Sequence, residues 1–253
     1  RDDSHLNIVR RIYQRIMREL MWKHATQLFA CSNKAGNYLF QEKFQSNGFV
    51  MNNGVGTEKF ITNDATKEKL KREFNITAER IIGHTGRFVE VKNHALLVDI
   101  FKSICDSGES VKLMLIGDGP LKGKIEEKVR DYGLTEKVIF TGMRSDVPNL
   151  LSLLDVYVLP STYEGVSVSL MEAQAAGIPF VVSKSAYSDE SKVTEYGVSL
   201  DLNDGIETWR DAVIDQMNRG KLDNASQVVI NKGYDTSSII HFVQENFYKI
   251  KEI

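Results

Sequence analysis

The feature that most constrains the fold is the alternation of short apolar runs with longer segments of helical spacing. Several of these runs are almost continuously apolar, which is typical of strands that are buried on both faces of a sheet. Helices placed between successive strands are typical of parallel pairing. The sequence therefore predicts an α/β fold, a doubly wound parallel sheet with helices on both faces. The predicted strands lie at 27–32, 48–52, 80–86, 111–119, 137–142, 156–160 and 180–183.

The segments between and around these strands carry apolar residues at spacings of three and four, which predicts helices. No internal repeat or low-complexity tract competes with this interpretation. The predicted helices lie at 8–22, 34–44, 66–74, 93–105, 120–132, 147–154, 168–176, 207–217 and 237–251.

Charge and cysteine content exclude several classes of function. The net charge is -2 over 253 residues, so no global field favours nucleic acid as a partner. Cys31 and Cys105 are too few for a disulfide framework, and no zinc-type spacing occurs, which predicts a cytoplasmic protein. No apolar run reaches the roughly 18 residues that a membrane span needs.

The first predicted helix is amphipathic. Its apolar residues include Ile12, Ile16 and Leu20 at a spacing of four, and its other face is rich in arginine. Two interpretations stay open. The basic face is either an ordinary solvated surface or a peripheral contact with anionic membrane lipid.

Ligands of doubly wound sheets bind beyond the carboxyl ends of the strands, so the loops there hold the candidate site. After the strand at 80–86 come Arg87 and Lys92, just before a helix that Asn93 could cap. Two cations beside a helix N-terminus predict a seat for a diphosphate. Two ordinary surface cations are the alternative.

Two further loops follow neighbouring strands. Gly117 and Gly119 flank Asp118 and would let the backbone approach a ligand or another chain. The loop at 142–144, with Arg144, could present backbone groups to a flat ring. Either loop could equally be an ordinary turn.

The stretch PSTYEGVSVSLMEAQAAGIPFVVS, residues 160–183, is the most specific of these loops. Glu164 follows a strand, and Gly165 is expected to permit an unusual backbone angle before a helix begins near Ser167. Free N–H groups at that helix start could bind phosphate. Glu172 stands in an otherwise apolar helix, where its carboxylate could accept hydrogen bonds from a vicinal diol. The alternative is a solvated helix residue.

Taken together and in order, these motifs resemble the C-terminal half of the family 4 glycosyltransferases, retaining enzymes with the GT-B fold. The similarity runs from about Phe29 to Ser183 and is greatest to members that build bacterial capsular polysaccharides and exopolysaccharides. The motifs that carry it are NNGVGTEKF, GHTGRFVEVKNH, LIGDGPL, FTGMRSDVPNLL and LPSTYEGVSVSLMEAQAAGIPFVV.

The resemblance implies a role for each candidate residue. Arg87 and Lys92 would bind the donor diphosphate in place of a metal ion, and Glu164 would contact the donor sugar, so these three are the predicted catalytic residues. Glu172 would hold the ribose hydroxyls, and the region of Arg144 would meet the base. Backbone N–H groups for sugar and phosphate would come from Gly165, Val166, Ser167, Val168 and Ser169. Ser167 stands where many relatives have glycine.

The resemblance also implies an organisation and a function. Residues 1–29 would be the tail of an N-terminal acceptor domain, 30–235 a Rossmann-like nucleotide-sugar domain, and 236–253 a crossover helix. The donor would be a UDP or GDP sugar and the acceptor a glycan or a lipid-linked sugar, with no cofactor and no metal ion. The rival interpretations are a sugar-nucleotide epimerase of the same architecture and a non-catalytic nucleotide-sugar-binding module.

Overall fold

The computed structural model describes residues 8–60 and 63–248. The chain divides into two compact units, residues 1–52 and 53–253. The functional boundaries expected near residues 29 and 235 stay predictions, and each unit is described below by itself.

Residues 8–52 of the first unit form three helices and one pair of short parallel strands, in which Leu28 lies opposite Gly48. The single helix predicted at 34–44 is wrong, because Gln41 adopts a positive φ of 52° and splits it in two. The ring of Phe44 then packs against Gly36, where a Cβ atom would lie 2.2 Å from the ring. The elements are α1 (Ile8–His24), β1 (Leu28–Ala30), α2 (Asn33–Phe40), α3 (Glu42–Asn47) and β2 (Gly48–Val50).

The predicted amphipathic helix at the start of the chain is confirmed and extends to His24. Its apolar row is exposed: Ile12 is 54%, Ile16 53% and Leu20 45% accessible. No acidic residue lies in its first turn, whereas Lys23 and His24 lie in its last.

The second unit is built on a six-stranded sheet in which every pair is parallel. The strands run β5-β4-β3-β6-β7-β8 across the sheet, so the order reverses between β3 and β6. That reversal is the topological switch point at which such sheets bind ligands. The strands are β3 (Arg80–Thr85), β4 (Val111–Ile116), β5 (Val138–Gly142), β6 (Val156–Leu159), β7 (Phe180–Ser183) and β8 (Gly197–Leu200).

Helices cover both faces of this sheet. The helices are α4 (Asp64–Glu73), α5 (His94–Asp106), α6 (Lys122–Asp131), α7 (Val147–Leu151), α8 (Val168–Ala175), α9 (Ile206–Arg219), α10 (Ala225–Asn231) and α11 (Thr236–Val243). Short 3-10 turns lie at Thr57–Phe60, Glu90–Lys92, Thr135–Lys137, Lys184–Ala186 and Asp189–Ser191, and a π-helical turn at Gln244–Tyr248.

Two hydrophobic layers hold the helices to the sheet. On one face Leu113 and Val158 pack with Phe101 of α5 and Trp209 of α9. On the other face the core comprises Ile81, Met114, Tyr157, Leu150, Leu170 and Phe180, with contributions from α4, α7 and α8. Successive strand residues point to opposite faces, so strands buried on both faces must be apolar throughout. The predicted doubly wound α/β fold is confirmed.

In the second unit, strand β8, helix α10 and the C-terminal helix differ from the prediction. Strand β8 and helix α10 were not predicted. Every residue of β8 is only partly buried, which weakens the apolar signal of an edge strand. The C-terminal helix begins at Thr236, with Asp235 as its cap, and ends at Val243 before the π-helical turn. The remainder of that predicted helix, 249–251, lies outside the described residues.

Candidate functional site

The candidate site lies where β3 and β6 end. Backbone pairing between these strands covers only Ile82 with Val156 and Gly83 with Tyr157. Beyond it the loops that follow the two strands are joined by a hydrogen bond of 2.8 Å from the Thr162 N–H to the Val91 carbonyl. The loops that carry the predicted site residues therefore face each other across the switch point.

Glycines allow the loops after β3 and β4 to pack backbone against backbone. Gly117 has a φ of +137°, and a Cβ atom there would lie 2.2 Å from the carbonyl oxygen of Gly86. A Cβ atom on Gly119 would lie 2.6 Å from the amide nitrogen of Phe88. The backbone at Gly117 and Gly119 thus approaches the chain's own residues Gly86–Phe88, whereas the sequence predicted a ligand or another chain there, and this packing fixes the position of the loop that carries Arg87.

Lys92 and Glu164, which are 72 residues apart, form an ion pair. The Lys92 Nζ donates to the Glu164 Oε1 at 2.7 Å, and the side chains are only 17% and 14% exposed. Lys92 ends the 3-10 turn after β3, and Glu164 lies in the loop after β6. The fold therefore brings together a cation and a carboxylate that the sequence assigned to one donor site.

Arg87 lies on the same loop and is exposed. Within 8–60 and 63–248, no carboxylate forms an ion pair with its guanidinium. Asn93 occupies the N-cap position of α5 in the left-handed conformation, but its side chain makes no capping hydrogen bond. The expected cap is therefore wrong. Asn93 provides the left-handed backbone turn before α5, but its side chain does not accept a hydrogen bond from the first amides of that helix.

The turn before α8 is built by serine. Ser167 caps α8 in an extended conformation, and its Oγ accepts from the Leu170 N–H at 3.4 Å and lies 3.2 Å from the Ser169 Oγ. The unusual backbone angle expected at Gly165 is wrong, because its φ lies outside the left-handed region. Val166 packs on a small core cluster, whereas Val168 is 45% exposed.

Glu172 is the fifth residue of α8 and is half-buried. Burial raises the pKa of its carboxyl group, and Lys59 opposes this only in part. In the described part of the chain nothing donates a hydrogen bond to this carboxylate. Its oxygens are not among the buried side-chain atoms that lack a partner, so water can reach them, and both interpretations of Glu172, diol ligand and solvated helix residue, stay open.

Arg144 is held by the protein itself. Its guanidinium binds both carboxylate oxygens of Asp146, at 2.7 and 2.8 Å, and Glu73 at 2.8 Å, and these partners raise its pKa. The group also lies 5.7 Å from the centre of the Phe74 ring. A role in base binding would thus fall to the backbone around Met143, whose side chain is 85% exposed.

Buried polar atoms without a partner concentrate at this site. In 53–60 and 63–248 there are six such side-chain atoms, and five belong to residues that follow or end β3 and β6. They are His84 Nε2, Thr85 Oγ1, both ring nitrogens of His94, and Ser161 Oγ; the sixth is Gln216 Oε1. Sequence reasoning missed these residues, although polar side chains in the GHTG strand end were a visible signal.

The two histidines are neutral for a physical reason. Burial and the neighbouring His94 hold the pKa of His84 well below its usual value. Burial, together with the charge of Lys92, lowers the pKa of His94 to about 4. The ring of His94 stacks on Phe88 at 4.1 Å and meets His84 edge-on at 4.7 Å. This aromatic layer lies directly behind the Arg87 loop.

The described ranges contain neither a metal-binding cluster nor a helix that could span a membrane. No group of three histidine, cysteine, aspartate or glutamate side chains there is arranged to hold a metal ion. None of the helices described is both long and apolar enough to cross a bilayer.

Comparison with known proteins agrees with the motifs. Residues 66–225 match the family model described as glycosyl transferases group 1. The chain therefore belongs to that family, and its solved neighbours are glycosyltransferases with the GT-B fold.

Individual relatives support the same grouping. EpsF of Bacillus subtilis, named as a glycosyltransferase, is 35% identical over 225 residues, which are 87% of this chain and 59% of that protein. A second relative is an Escherichia coli UDP-Gal:α-D-GlcNAc-diphosphoundecaprenol α-1,3-galactosyltransferase. It is 32% identical over 176 residues, which are 65% of this chain and 44% of that protein. This chain thus spans about three fifths, or less, of these relatives.

Among solved structures, HepE of Anabaena in complex with UDP superposes with a TM-score of 0.79 at 19% identity. The match covers 98% of this chain and 70% of HepE. The TM-score shows a shared fold, and at this low sequence identity the comparison shows the fold alone.

Proposed function

We propose that this chain supplies the donor-binding part of a retaining glycosyltransferase of surface polysaccharide assembly. The enzyme would transfer a sugar from a UDP or GDP sugar to a glycan or a lipid-linked acceptor, on the cytoplasmic side and without a metal ion. The relatives EpsF and the E. coli galactosyltransferase are longer than this chain, so the activity and the acceptor are proposed for the whole protein.

The observation that carries this proposal is the Lys92–Glu164 ion pair at the switch point. A diphosphate needs cations, and a sugar needs a carboxylate that can accept hydrogen bonds from its hydroxyls. The pair places both groups at one point, and Arg87 and Glu172, which have no ion-pair partner among the described residues, lie on the flanking elements. Binding a donor would give each of these four side chains a partner of the right chemistry.

The chemistry asked of these residues is charge stabilisation and positioning. As the bond between the sugar and the diphosphate breaks, negative charge grows on the diphosphate. Arg87 and Lys92 would stabilise this charge in place of a metal ion. Glu164 would hold the donor sugar so that the acceptor hydroxyl reaches its anomeric carbon. The leaving phosphate would assist removal of the proton from that hydroxyl, which places the new bond on the same face of the sugar.

The relatives point to the ligands to try first. HepE was solved with UDP and with UDP-glucose, and the E. coli relative is named for a UDP-galactose donor and a diphosphoundecaprenol-linked acceptor. A mycobacterial relative, 29% identical over 53% of this chain, is named for GDP-mannose. The choice between uridine and guanosine is therefore open to direct measurement.

Helix α1 supports a peripheral membrane contact for the whole enzyme. Its row of Ile12, Ile16 and Leu20 is exposed, and Arg11 and Arg15 lie on the same helix. Exposed apolar residues beside cations are what an anionic lipid surface binds. Sedimentation with vesicles of anionic and of neutral phospholipid tests this, and absence of any salt-sensitive binding to the anionic vesicles would remove it.

Calorimetry with UDP, GDP and ADP, and then with their sugar conjugates, tests the donor site. We expect micromolar to millimolar binding of one diphosphate, weaker binding of its nucleoside, and no change when a chelator is added. A strict need for magnesium or manganese would remove the metal-independent mechanism. Incubating the complete protein with donor alone separates the rivals, because an epimerase would change the sugar and a binding module would change nothing even with acceptor.

A further inference from the structure

Where the backbone pairing of β3 and β6 stops, the side chains of His84 and Tyr157 form the hydrogen bonds between the two strands. The last paired residues are Gly83 and Tyr157, so His84 and Val158 would come next in register. There the His84 Nδ1 lies 2.8 Å from the Val158 carbonyl oxygen. A carbonyl only accepts, so Nδ1 carries the proton, and the neutral ring keeps a lone pair on Nε2.

Tyr157 makes the second link, on the other face of the sheet. Its hydroxyl lies 3.2 Å from the Thr85 carbonyl oxygen and 2.9 Å from the Ser169 Oγ. Thr85 directly precedes the Gly86–Arg87 loop, and Ser169 lies in the first turn of α8. One buried phenol thus joins the two loops that carry the predicted diphosphate and sugar contacts.

We propose that His84 and Tyr157, here called the cross-strand clasp, are positioning residues for the donor site. The clasp sets the distance between the Arg87 loop and the first turn of α8, so that Arg87, Lys92 and the α8 amides reach one diphosphate together. This inference rests on the proposed function, which it deepens by assigning two residues that the motifs do not include.

Burial gives the clasp its stiffness. Both side chains are fully buried, and their rings lie nearly parallel, with centroids 6.1 Å apart. A hydrogen bond in such a setting is not weakened by competing water. The His84 Nε2 has no partner in the described part of the chain, and it lies 2.9 Å from the position that a Cβ atom would take on Gly86. The clasp therefore reaches the loop that precedes Arg87 from behind.

The test compares two Tyr→Phe variants by calorimetry with UDP and with uridine. Tyr157→Phe keeps the buried ring and removes only the hydroxyl. Tyr132→Phe is the matched control. It also removes a hydroxyl hydrogen bond, at 2.6 Å, but this bond joins the C-terminal end of α6 to Asp99 of α5. We expect Tyr157→Phe to weaken UDP binding about five- to tenfold, as one or two hydrogen bonds would. Uridine binding should not change, and the control should bind both ligands like wild type.

Histidine variants give an independent check. His84→Leu removes the donor to Val158, whereas His84→Asn retains an amide N–H close to the Nδ1 position. Recovery of UDP affinity by His84→Asn over His84→Leu, at equal thermal stability, supports positioning.

The outcomes separate the two claims. If wild type binds UDP and Tyr157→Phe binds it equally well, the clasp is overturned and the donor site stands. Equal losses for UDP and uridine would also overturn the clasp, because they would show a general loss of structure. If wild type binds neither UDP nor any other nucleoside diphosphate, the proposed function fails and the clasp fails with it.

Discussion

The two ends of the central sheet differ in the charged groups that they leave without a protein partner. At the amino ends Arg80 binds Glu109 at 2.5 Å and Asn218 at 2.6 Å, and the Asp155 carboxylate accepts from the Ile81 N–H at 2.6 Å. At the carboxyl ends Lys92 pairs with Glu164 and Arg144 with Asp146 and Glu73, but Arg87 and Glu172 have no such partners within the described ranges. Both ends belong to the same strands and share one core.

Under the proposed function, a ligand binds at the carboxyl ends, whereas the charges at the amino ends serve only the fold. Charges that satisfy one another stabilise the native state modestly and need nothing further. Buried polar groups without partners cost stability, and native proteins retain them chiefly at functional sites. We therefore expect substitutions at the carboxyl ends to change ligand binding and those at the amino ends to change only stability.

The largest effect is expected from the arginines at either end of β3. Arg87→Ala should weaken UDP binding about 10- to 100-fold, the loss of a hydrogen bond to a charged group. Arg80→Ala should leave binding intact and lower the free energy of unfolding by about 1 kcal/mol or less. Calorimetry and denaturant unfolding on both variants check this. If the two variants exchanged effects, the comparison would be wrong.

Next comes the response of His94 to acid. Its pKa is about 4 in the fold, against an ordinary 6.5, so the unfolded chain takes up a proton first as the pH falls. The contribution of neutral His94 to the free energy of unfolding is fully present above pH 6.5 and is lost between pH 6.5 and 4, by on the order of 3 kcal/mol. His94→Phe should retain the stack on Phe88 and lack this loss. The difference between wild type and variant in unfolding free energy, followed from pH 7 to 4, isolates it from the carboxylates. A constant difference would show that His94 titrates normally.

Glu172 should trade stability against binding on a smaller scale. Glu172→Gln is expected to weaken UDP binding about tenfold by removing the charged acceptor. It should also raise the melting temperature at pH 7, because burial raises the pKa of this carboxyl and disfavours its charged form. That gain should shrink as the pH falls and wild type becomes neutral.

Two controls sharpen this test. Glu126→Gln, on α6 beside Lys122, should change neither binding nor melting measurably. The 2′-deoxy analogue of UDP should bind wild type and Glu172→Gln almost equally. Equal loss of UDP and deoxy-UDP would show that Glu172 does not bind the diol.

The sequence predicted the sheet well because strands buried on both faces leave a strong apolar signal. It missed β8, whose residues are half-buried, and it missed the break at Gln41, which depends on Phe44 packing against Gly36. Those features arise from tertiary contacts that no local pattern contains.

The same division holds for the site. Arg87, Lys92, Glu164 and Glu172 could be chosen because each follows a strand or lies in a helix where a charge is out of place. The sequence could not show that Asp146 and Glu73 hold Arg144, since Glu73 is 71 residues away from it. Nor could it show that His84 and Tyr157 each form a hydrogen bond to the opposite strand at the switch point, because their partners are set by strand register.

The smallest effect is expected from Lys221, a lysine at the amino ends of the strands. Its Nζ donates to the Ser152 carbonyl at 2.6 Å, and burial lowers the pKa of the ammonium group to about 8, although Asp155 opposes this. Between pH 8 and 10.5 the unfolded chain holds a proton that the folded chain has released. Stability should therefore rise with pH in this window.

Lys221→Met retains the aliphatic stem and removes the charge. Because water reaches much of the Lys221 side chain, we expect wild type to gain only a few tenths of a kcal/mol over this variant between pH 7.5 and 10. UDP binding should be the same in both proteins, since the amine lies at the end of the sheet remote from Arg87. Denaturant unfolding at the two pH values measures the gain, and weaker UDP binding by Lys221→Met would show that the two ends of the sheet do not act independently.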